Sequence, residues 1–146
     1  MSFSIDFTDR AEAADRMAIG RGLGAYNRQQ TQRDDYRPLA ALLRNTDGEV
    51  VGGLWGYTTY GWLFVELLFV PDALRGRGIG TQLMQGAEAE ARRRGCHSAW
   101  LDTFQFQARG FYERNGYSCF GELEDFPRGH ARYFMKKSLS GDAAAP

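Results

Sequence analysis

Short apolar runs in the middle of the chain alternate with polar positions, a pattern typical of half-buried β-strands. The runs at residues 39–44 and 50–58 are separated by an Asp-Gly dipeptide, which favours a tight hairpin turn. A third run, residues 62–70, ends at Pro71, which cannot continue a central strand. These three runs predict an antiparallel meander.

A helical period follows the meander. Over residues 78–94, apolar residues recur on one face, while glutamate and arginine pairs four positions apart occupy the other. The apolar stripe consists of Ile79, Leu83, Met84, Ala87 and Ala91. Gly95 then supplies a helix stop, so we predict an amphipathic helix packed against the meander.

Weaker patterns complete the outline. Residues 4–8 alternate and predict a first strand, and Asp9 predicts the start of a helix that breaks or kinks at the glycines of residues 19–27. Further strands are predicted at residues 98–103, 117–123 and 131–137, and a short helix is predicted at residues 107–114. This order indicates an α/β or α+β fold with a mixed sheet of about six to seven strands.

Composition narrows the class of protein. With 146 residues the chain can bury one core, so we expect a single domain over residues 1–139 and a disordered tail over residues 140–146. Basic and acidic residues number 18 each, and this zero net charge argues against a nucleic-acid partner bound through a general cationic field, though not against a local basic groove. We expect no nucleic-acid partner. No apolar run suits a membrane span or a signal peptide, so no membrane partner is expected. Two cysteines and two histidines without metal-site spacing predict no metal and a cytoplasmic location.

A glycine-rich stretch, LRGRGIG at residues 74–80, lies between the third strand and the amphipathic helix. The unpaired amides of a helix N-terminus there would bind an anion such as a phosphate. The dinucleotide fingerprint G-x-G-x-x-G fails because Thr81 stands in place of its third glycine. The nucleotide motif G-x-x-x-x-G-K-[ST] fails because no lysine follows the glycines. A plain glycine-rich turn is the alternative interpretation of this stretch alone.

A second motif, QARGFYERNGY at residues 107–117, stands downstream of RGRGIG at residues 75–80. Together they resemble the GNAT superfamily of acyl-CoA-dependent N-acyltransferases. Its pyrophosphate loop is [QR]-x-x-G-x-[GA], and its later helix is [NQ]-A-x-x-[FL]-Y-[EK]-x-x-G-[FY]. The resemblance covers nearly the whole chain. It implies a single-domain GNAT fold whose mostly antiparallel sheet contains a central pair of splayed parallel strands.

The resemblance implies an acyl-CoA site with acetyl-CoA as the default donor and no metal. The splayed strands would be residues 62–70 and 98–103, and the pantetheine arm would pair with the backbone of the first of them. The residues implied in CoA binding are Leu68, Phe69, Val70, Arg75, Gly76, Arg77, Gly78, Ile79, Gly80, Thr81, Gln107, Ala108 and Tyr112.

Two residues are predicted to move protons. Tyr112 matches the family's tyrosine that faces the CoA sulfur, where a phenol can donate a proton to the departing thiolate. Its alternative role is that of a core aromatic. Glu66 interrupts an apolar run, and removing its carboxylate from water would prepare it to accept a proton from the amine. Alternatively, Glu66 points to solvent or pairs with an arginine.

Acidic residues near the predicted site indicate an acceptor that carries a cationic amine. Asp102 ends the second splayed strand and would bind and orient the amine or assist its deprotonation, and Glu122, the other candidate substrate-binding residue, belongs to an acidic cluster with Glu124 and Asp125. A second acidic pair lies at residues 34–35, and a solvated surface is the alternative interpretation of both groups. We therefore predict acetyl transfer to a primary amine of a small molecule or peptide. A non-catalytic acyl-CoA-binding regulatory module is the alternative function, and a homodimer is a candidate state because many family members dimerise.

Overall fold

The computed structural model describes residues 2–140 and divides the chain after Asp34 into two units. The first unit contains one helix, α1 (Ala13–Thr31). A capping box begins it, in which the Glu12 backbone N–H donates to the Asp15 carboxylate at 2.9 Å. Gln32 ends the helix in the left-handed conformation, and its N–H donates to the Arg28 carbonyl at 2.9 Å.

Three predictions for this unit are wrong: the start of the helix, its break at the glycines and the strand at residues 4–8. The helix begins after Glu12 rather than Asp9, and it continues unbroken through Gly20, Gly22 and Gly24. Each glycine costs about 1 kcal/mol relative to alanine, which does not outweigh the backbone hydrogen bonds of a 19-residue helix. Residues 4–8 form no strand, because alternation alone does not make one without the hydrogen bonds of a neighbouring strand.

The second unit holds the sheet, and most of its predicted elements are confirmed to within one or two residues. The strands are β1 (Arg37–Arg44), β2 (Val50–Thr59), β3 (Trp62–Phe69), β4 (Ser98–Phe104), β5 (Ser118–Leu123) and β6 (Arg132–Ser138). The helices are α2 (Ile79–Arg93) and α3 (Arg109–Arg114), with a single 3₁₀ turn at Asp72–Leu74. Residues 141–146, most of the predicted tail, lie outside the described residues.

The strand order is β1-β2-β3-β4-β6-β5, and β3–β4 is the parallel pair in a sheet whose other neighbours are antiparallel. This confirms the predicted mixed, mostly antiparallel sheet with a central parallel pair. The last strand in sequence, β6, inserts between β4 and β5 rather than adding at an edge.

One face of the sheet packs against α2, and we call it the inner face. It carries Leu63, Val65, Ala99 and Leu101, which are almost fully buried with Met84 and other residues of the predicted α2 stripe. Because side chains alternate along a strand, the residues between them lie on the opposite, outer face. Within the described residues, no helix is both long and apolar enough to cross a membrane.

Candidate active site

The parallel strands β3 and β4 separate part of the way along their length. They pair from Trp62 with Ser98 to Val65 with Leu101, and beyond this point each continues without pairing to the other. A bulge marks the same place, because Val65 pairs with Gly56 of β2 while Leu67 pairs with Trp55. The strands thus enclose a wedge-shaped opening, the splayed pair that the family resemblance implied.

The backbone of β3 borders this wedge on one side. Leu68 and Phe69 pair with β2 on their other side, at Leu54 and Gly53. The Val70 carbonyl is not free to bind a ligand in the same way, because it accepts a hydrogen bond from the Arg75 guanidinium at 2.9 Å. An extended ligand in the wedge would therefore meet unpaired β3 backbone chiefly around Leu68 and Phe69.

The glycine-rich loop begins α2 with its amides exposed. Gly76 and Gly78 have φ of +78° and +76°, a left-handed conformation that glycine adopts without strain. The first carbonyl to accept a bond from α2 is that of Gly78, from Gln82 at 3.0 Å. The amides of Ile79, Gly80 and Thr81 therefore precede the helical hydrogen-bond ladder and point out of its positive end.

The charged side chains of the loop differ in their surroundings. The Arg75 guanidinium forms an ion pair with Asp72, and its central carbon lies 6.0 Å from the centre of the Phe69 ring. These contacts stabilise the turn between β3 and α2. Arg77 is exposed. An anion at the helix N-terminus would meet backbone amides first, with Arg77 able to add charge from solvent.

Gly80 brings the loop against α3. A Cβ at this position would lie 3.1 Å from two carbons of the Phe111 ring, closer than an ordinary contact. The same helix follows a turn fixed by Gln107, whose side-chain oxygen accepts the Phe104 N–H at 2.7 Å. Ala108 caps α3, and its carbonyl accepts the Tyr112 N–H at 3.2 Å.

Tyr112 is the buried residue of α3. Its side chain is 8% exposed, so the alternative interpretation as a core aromatic describes its packing correctly. Burial, and to a smaller extent the nearby Asp102 carboxylate, raise the pKa of the Tyr112 phenol to about 12. The structure thus brings together Tyr112 and Asp102, the first β4 residue beyond the last parallel pair.

Asp102 is held by a residue that the sequence analysis missed, Arg132 of β6. Two nitrogens of its guanidinium donate to one Asp102 oxygen at 2.9 and 2.6 Å. Rings of Phe104, Phe126 and Phe134 lie 4.9–5.7 Å from the same guanidinium. Only the β4–β6 register creates this pair, because the two residues are thirty positions apart in sequence.

Glu66 is the extra residue of the β3 bulge and is exposed. The predicted burial of its carboxylate is therefore wrong, because the bulge turns the side chain toward solvent. Its charge nevertheless reaches the outer face. The pKa of the Tyr57 phenol is raised by burial, by Tyr36 and by the Glu66 carboxylate.

The other acidic candidates lie elsewhere. Glu122 is exposed on β5 opposite Tyr133, and Asp125 accepts the Gly129 N–H at 3.2 Å within the following turn. Asp34 pairs with Arg28 at 3.8 Å, and Asp35 accepts the Tyr60 N–H at 3.1 Å. Neither predicted acidic cluster has a described contact with Tyr112, Asp102 or Glu66.

An aromatic pocket of about 490 Å³ opens on the sheet beside the wedge. Its lining consists of Tyr57, Thr59, Tyr60, Trp62, Phe64, Trp100, Phe120 and Lys136. Phe64 and Trp100 stack at 4.2 Å between ring centres, and Tyr57 lies 5.4 Å from Phe64. The alternation of aromatic residues along 57–64 was a signal for this pocket, but their alignment with Trp100 of β4 depends on register.

Metal coordination has no evident place in this arrangement. Among residues 2–140, no three side chains of the usual metal-ligating types gather closely enough to hold an ion.

Comparison with known proteins agrees with this geometry. The family model described as "Acetyltransferase (GNAT) family" matches residues 10–117. Acetyltransferase Atu2258 of Agrobacterium fabrum (strain C58) is 43% identical over 130 residues, which cover 89% of this chain and 95% of that protein. Blasticidin-S acetyltransferase of Streptomyces morookaense is 36% identical over 131 residues, which cover 77% of this chain and 96% of that protein.

A solved structure shows the same likeness. The crystal structure of an Agrobacterium tumefaciens protein described as an acetyltransferase superposes with a TM-score of 0.88 and 41% identity, covering 93% of this chain and 99% of that one. The family model alone spans well over half of the chain. Both findings confirm the interpretation of the two sequence motifs: the chain belongs to the acetyltransferase (GNAT) family and is an acetyltransferase.

Proposed function

We propose that this protein transfers the acetyl group of acetyl-CoA to a primary amine by direct attack within a ternary complex. The observation that carries the proposal is the wedge between β3 and β4, flanked by the glycine-rich N-terminus of α2 and by buried Tyr112. A wedge of this kind admits an extended thioester from one side and an amine from the other.

The donor site follows from backbone chemistry. The amides of Ile79, Gly80 and Thr81 would bind the pyrophosphate, because they lack helical acceptors and lie at the positive end of α2. The pantetheine amides would pair with β3 around Leu68 like an added strand.

The reaction requires proton transfers at the amine and at the sulfur. The acceptor's ammonium group first loses a proton, its nitrogen then attacks the acetyl carbonyl carbon to form a C–N bond, and the attacking nitrogen releases a second proton to solvent to leave a neutral amide. As the C–S bond breaks, the departing thiolate takes a proton from the Tyr112 hydroxyl, which its raised pKa of about 12 keeps protonated. Tyr112 regains a proton from solvent.

We assign the first proton transfer to Glu66, directly or through a water molecule. Its carboxylate is exposed beside the wedge, and the structure gives it no ion-pair partner among the described residues. Asp102 is the weaker candidate base, because one of its oxygens already accepts two hydrogen bonds from Arg132.

A thiol-release assay with acetyl-CoA and a panel of primary amines tests the function. The enzyme should release CoA thiol only when a suitable amine is present. A non-catalytic acyl-CoA-binding module, the alternative function, would bind acetyl-CoA but release no thiol with any amine class.

The donor site has its own test in the variant Gly80→Leu. The added side chain meets Phe111, so α2 and α3 must move apart and the pyrophosphate amides lose their arrangement. Acetyl-CoA at a hundredfold its Kd should stabilise the wild type by about 2.7 kcal/mol, and most of this stabilisation should vanish in the variant. Thermal unfolding with and without acetyl-CoA measures both.

Gly86→Leu is the matched control, since this α2 glycine has nothing within 4 Å of the position of a Cβ. It should retain the full stabilisation. Equal stabilisation of the Gly80 and Gly86 variants by acetyl-CoA would contradict the proposed pyrophosphate-binding site at the N-terminus of α2.

The base assignment predicts a pH-dependent defect in Glu66→Gln. At neutral pH, kcat/KM should fall about a hundredfold, because the ammonium group loses its proton acceptor. The defect should shrink as the pH approaches the pKa of the acceptor amine, since more amine then arrives already neutral. Glu49→Gln, a change at an exposed glutamate of the β1–β2 turn, is the control. A defect that is constant with pH would argue against a base role for Glu66.

A further inference from the structure

The aromatic pocket lies next to the wedge. Phe64 and Trp100 are cross-strand partners in the parallel pair immediately before Val65 and Leu101, where β3 and β4 separate. Because these partners alternate with buried inner-face residues, their rings stand on the outer face. A ligand in the pocket would therefore reach the wedge from the face opposite α2.

The lining of the pocket suits an aromatic ligand better than a ligand with many hydroxyl groups or charges. Six of its eight lining residues are aromatic. Of the polar ones, the Thr59 hydroxyl donates to Asp35 at 3.3 Å, and the Lys136 ammonium lies 5.5 Å from the Phe120 ring. A ligand with many hydroxyl groups would leave most of them without partners here, which costs binding energy.

A negative charge, the Glu66 carboxylate, lies near the pocket. Glu66 follows Phe64 by two residues across the β3 bulge. Besides burial and Tyr36, its charge raises the pKa of the Tyr57 phenol, which lines the pocket. A cationic amine is attracted both to this carboxylate and to the faces of the neighbouring rings.

We infer that the acceptor is a primary amine joined by a short tether to a flat aromatic or heteroaromatic ring, with the ring in the aromatic pocket and the amine beside Glu66. The volume of about 490 Å³ falls within the range of small-molecule sites. Phe64 and Glu66 are only two residues apart on β3, so a short tether suits the ligand. This inference rests on the proposed function and names its substrate class.

The first experiment compares amines. The thiol-release assay is run with 2-phenylethylamine, with spermidine as a polyamine, and with 2-deoxystreptamine as a hydroxylated amine. We expect kcat/KM for 2-phenylethylamine to exceed that for either comparison amine at least tenfold. Release of thiol with spermidine or 2-deoxystreptamine, but not with 2-phenylethylamine, would overturn the inference and leave the proposed acetyltransfer intact.

The second experiment changes the pocket. Trp100→Ala and Trp62→Leu should each lower kcat/KM for 2-phenylethylamine about 10- to 100-fold, as loss of a stacking platform does, with the Kd of acetyl-CoA unchanged. Trp55→Ala is the matched control, since Trp55 is half exposed on β2 and does not line the pocket. An equal loss in all three variants would contradict a specific ring site. Should Trp100→Ala not fold, Trp62→Leu decides.

A binding measurement separates this inference from catalysis. In Trp55→Phe the remaining tryptophans are Trp62 and Trp100, both in the pocket. Titration with 2-(4-nitrophenyl)ethylamine should quench their fluorescence saturably, whether or not thiol is released. Absence of quenching would overturn the inference. So would a dimer, seen by sedimentation velocity, that dissociates in Trp100→Ala, because a second copy of the chain would then cover the pocket.

Discussion

Replacing Tyr112 with phenylalanine should lower kcat by roughly a hundredfold or more while the Kd of acetyl-CoA stays nearly constant. The substitution removes one hydroxyl from a side chain that is already buried, so packing against Phe111 and Tyr117 is retained. What disappears is the proton donor for the departing thiolate. Steady-state thiol release and a separate titration with acetyl-CoA distinguish the two effects.

The raised pKa of Tyr112 gives this prediction a second readout. A phenol with a pKa of about 12 remains an acid throughout the range in which amines become neutral. The wild-type rate should therefore show no alkaline decline due to Tyr112 below about pH 11. Tyr133→Phe, at a residue whose ring contacts Arg109 of the same helix, is the control. An unchanged kcat in Tyr112→Phe at every pH would remove Tyr112 from the mechanism.

Replacing Lys137 with methionine should lower the free energy of unfolding by about 3–5 kcal/mol. Glu88 of α2 is 2% exposed, and its carboxylate accepts bonds from the Lys137 ammonium at 2.7 Å and the Tyr117 hydroxyl at 2.8 Å. Without Lys137, a buried negative charge keeps a single neutral partner. Chemical denaturation of the variant and the wild type measures the loss.

The double variant Glu88→Leu/Lys137→Met tests the cause. Removing both charges from the pair should recover most of the lost stability, because the cost arises from the unpaired carboxylate. Lys136→Met, next to Lys137 but exposed, should change stability little. If Lys137→Met has the same free energy of unfolding as the wild type, the Glu88–Lys137 ion pair does not stabilise the fold.

The contacts of Glu88 also link elements of the candidate active site. Glu88 joins α2 to β6 through Lys137 and to the end of α3 through Tyr117, whose N–H donates to the Tyr112 carbonyl at 3.0 Å. Glu88 therefore helps to hold α3, which carries Tyr112, against α2, which begins at the glycine-rich loop. Neither sequence motif includes Glu88, because its partners lie 29 and 49 positions away.

Local patterns predicted the elements where burial follows a regular period. Strands β2 and β3 alternate against the core, and α2 has one continuous apolar stripe, so the three were predicted to within one or two residues. The segment at residues 4–8 shows the limit of this reasoning. It alternates as well, but a strand needs a partner, and a single segment carries no information about one.

The sequence by itself determined the family and predicted the donor site. Glycines and a helix start can form an anion-binding loop locally, since backbone amides and positive φ require nothing from distant residues. Tertiary structure alone decided how Asp102 is paired with Arg132, how the bulge exposes Glu66 and how Tyr57, Phe64 and Trp100 align into one pocket. These features arise from strand register, and register is a long-range property because each strand's partner is chosen by the packing of the whole sheet.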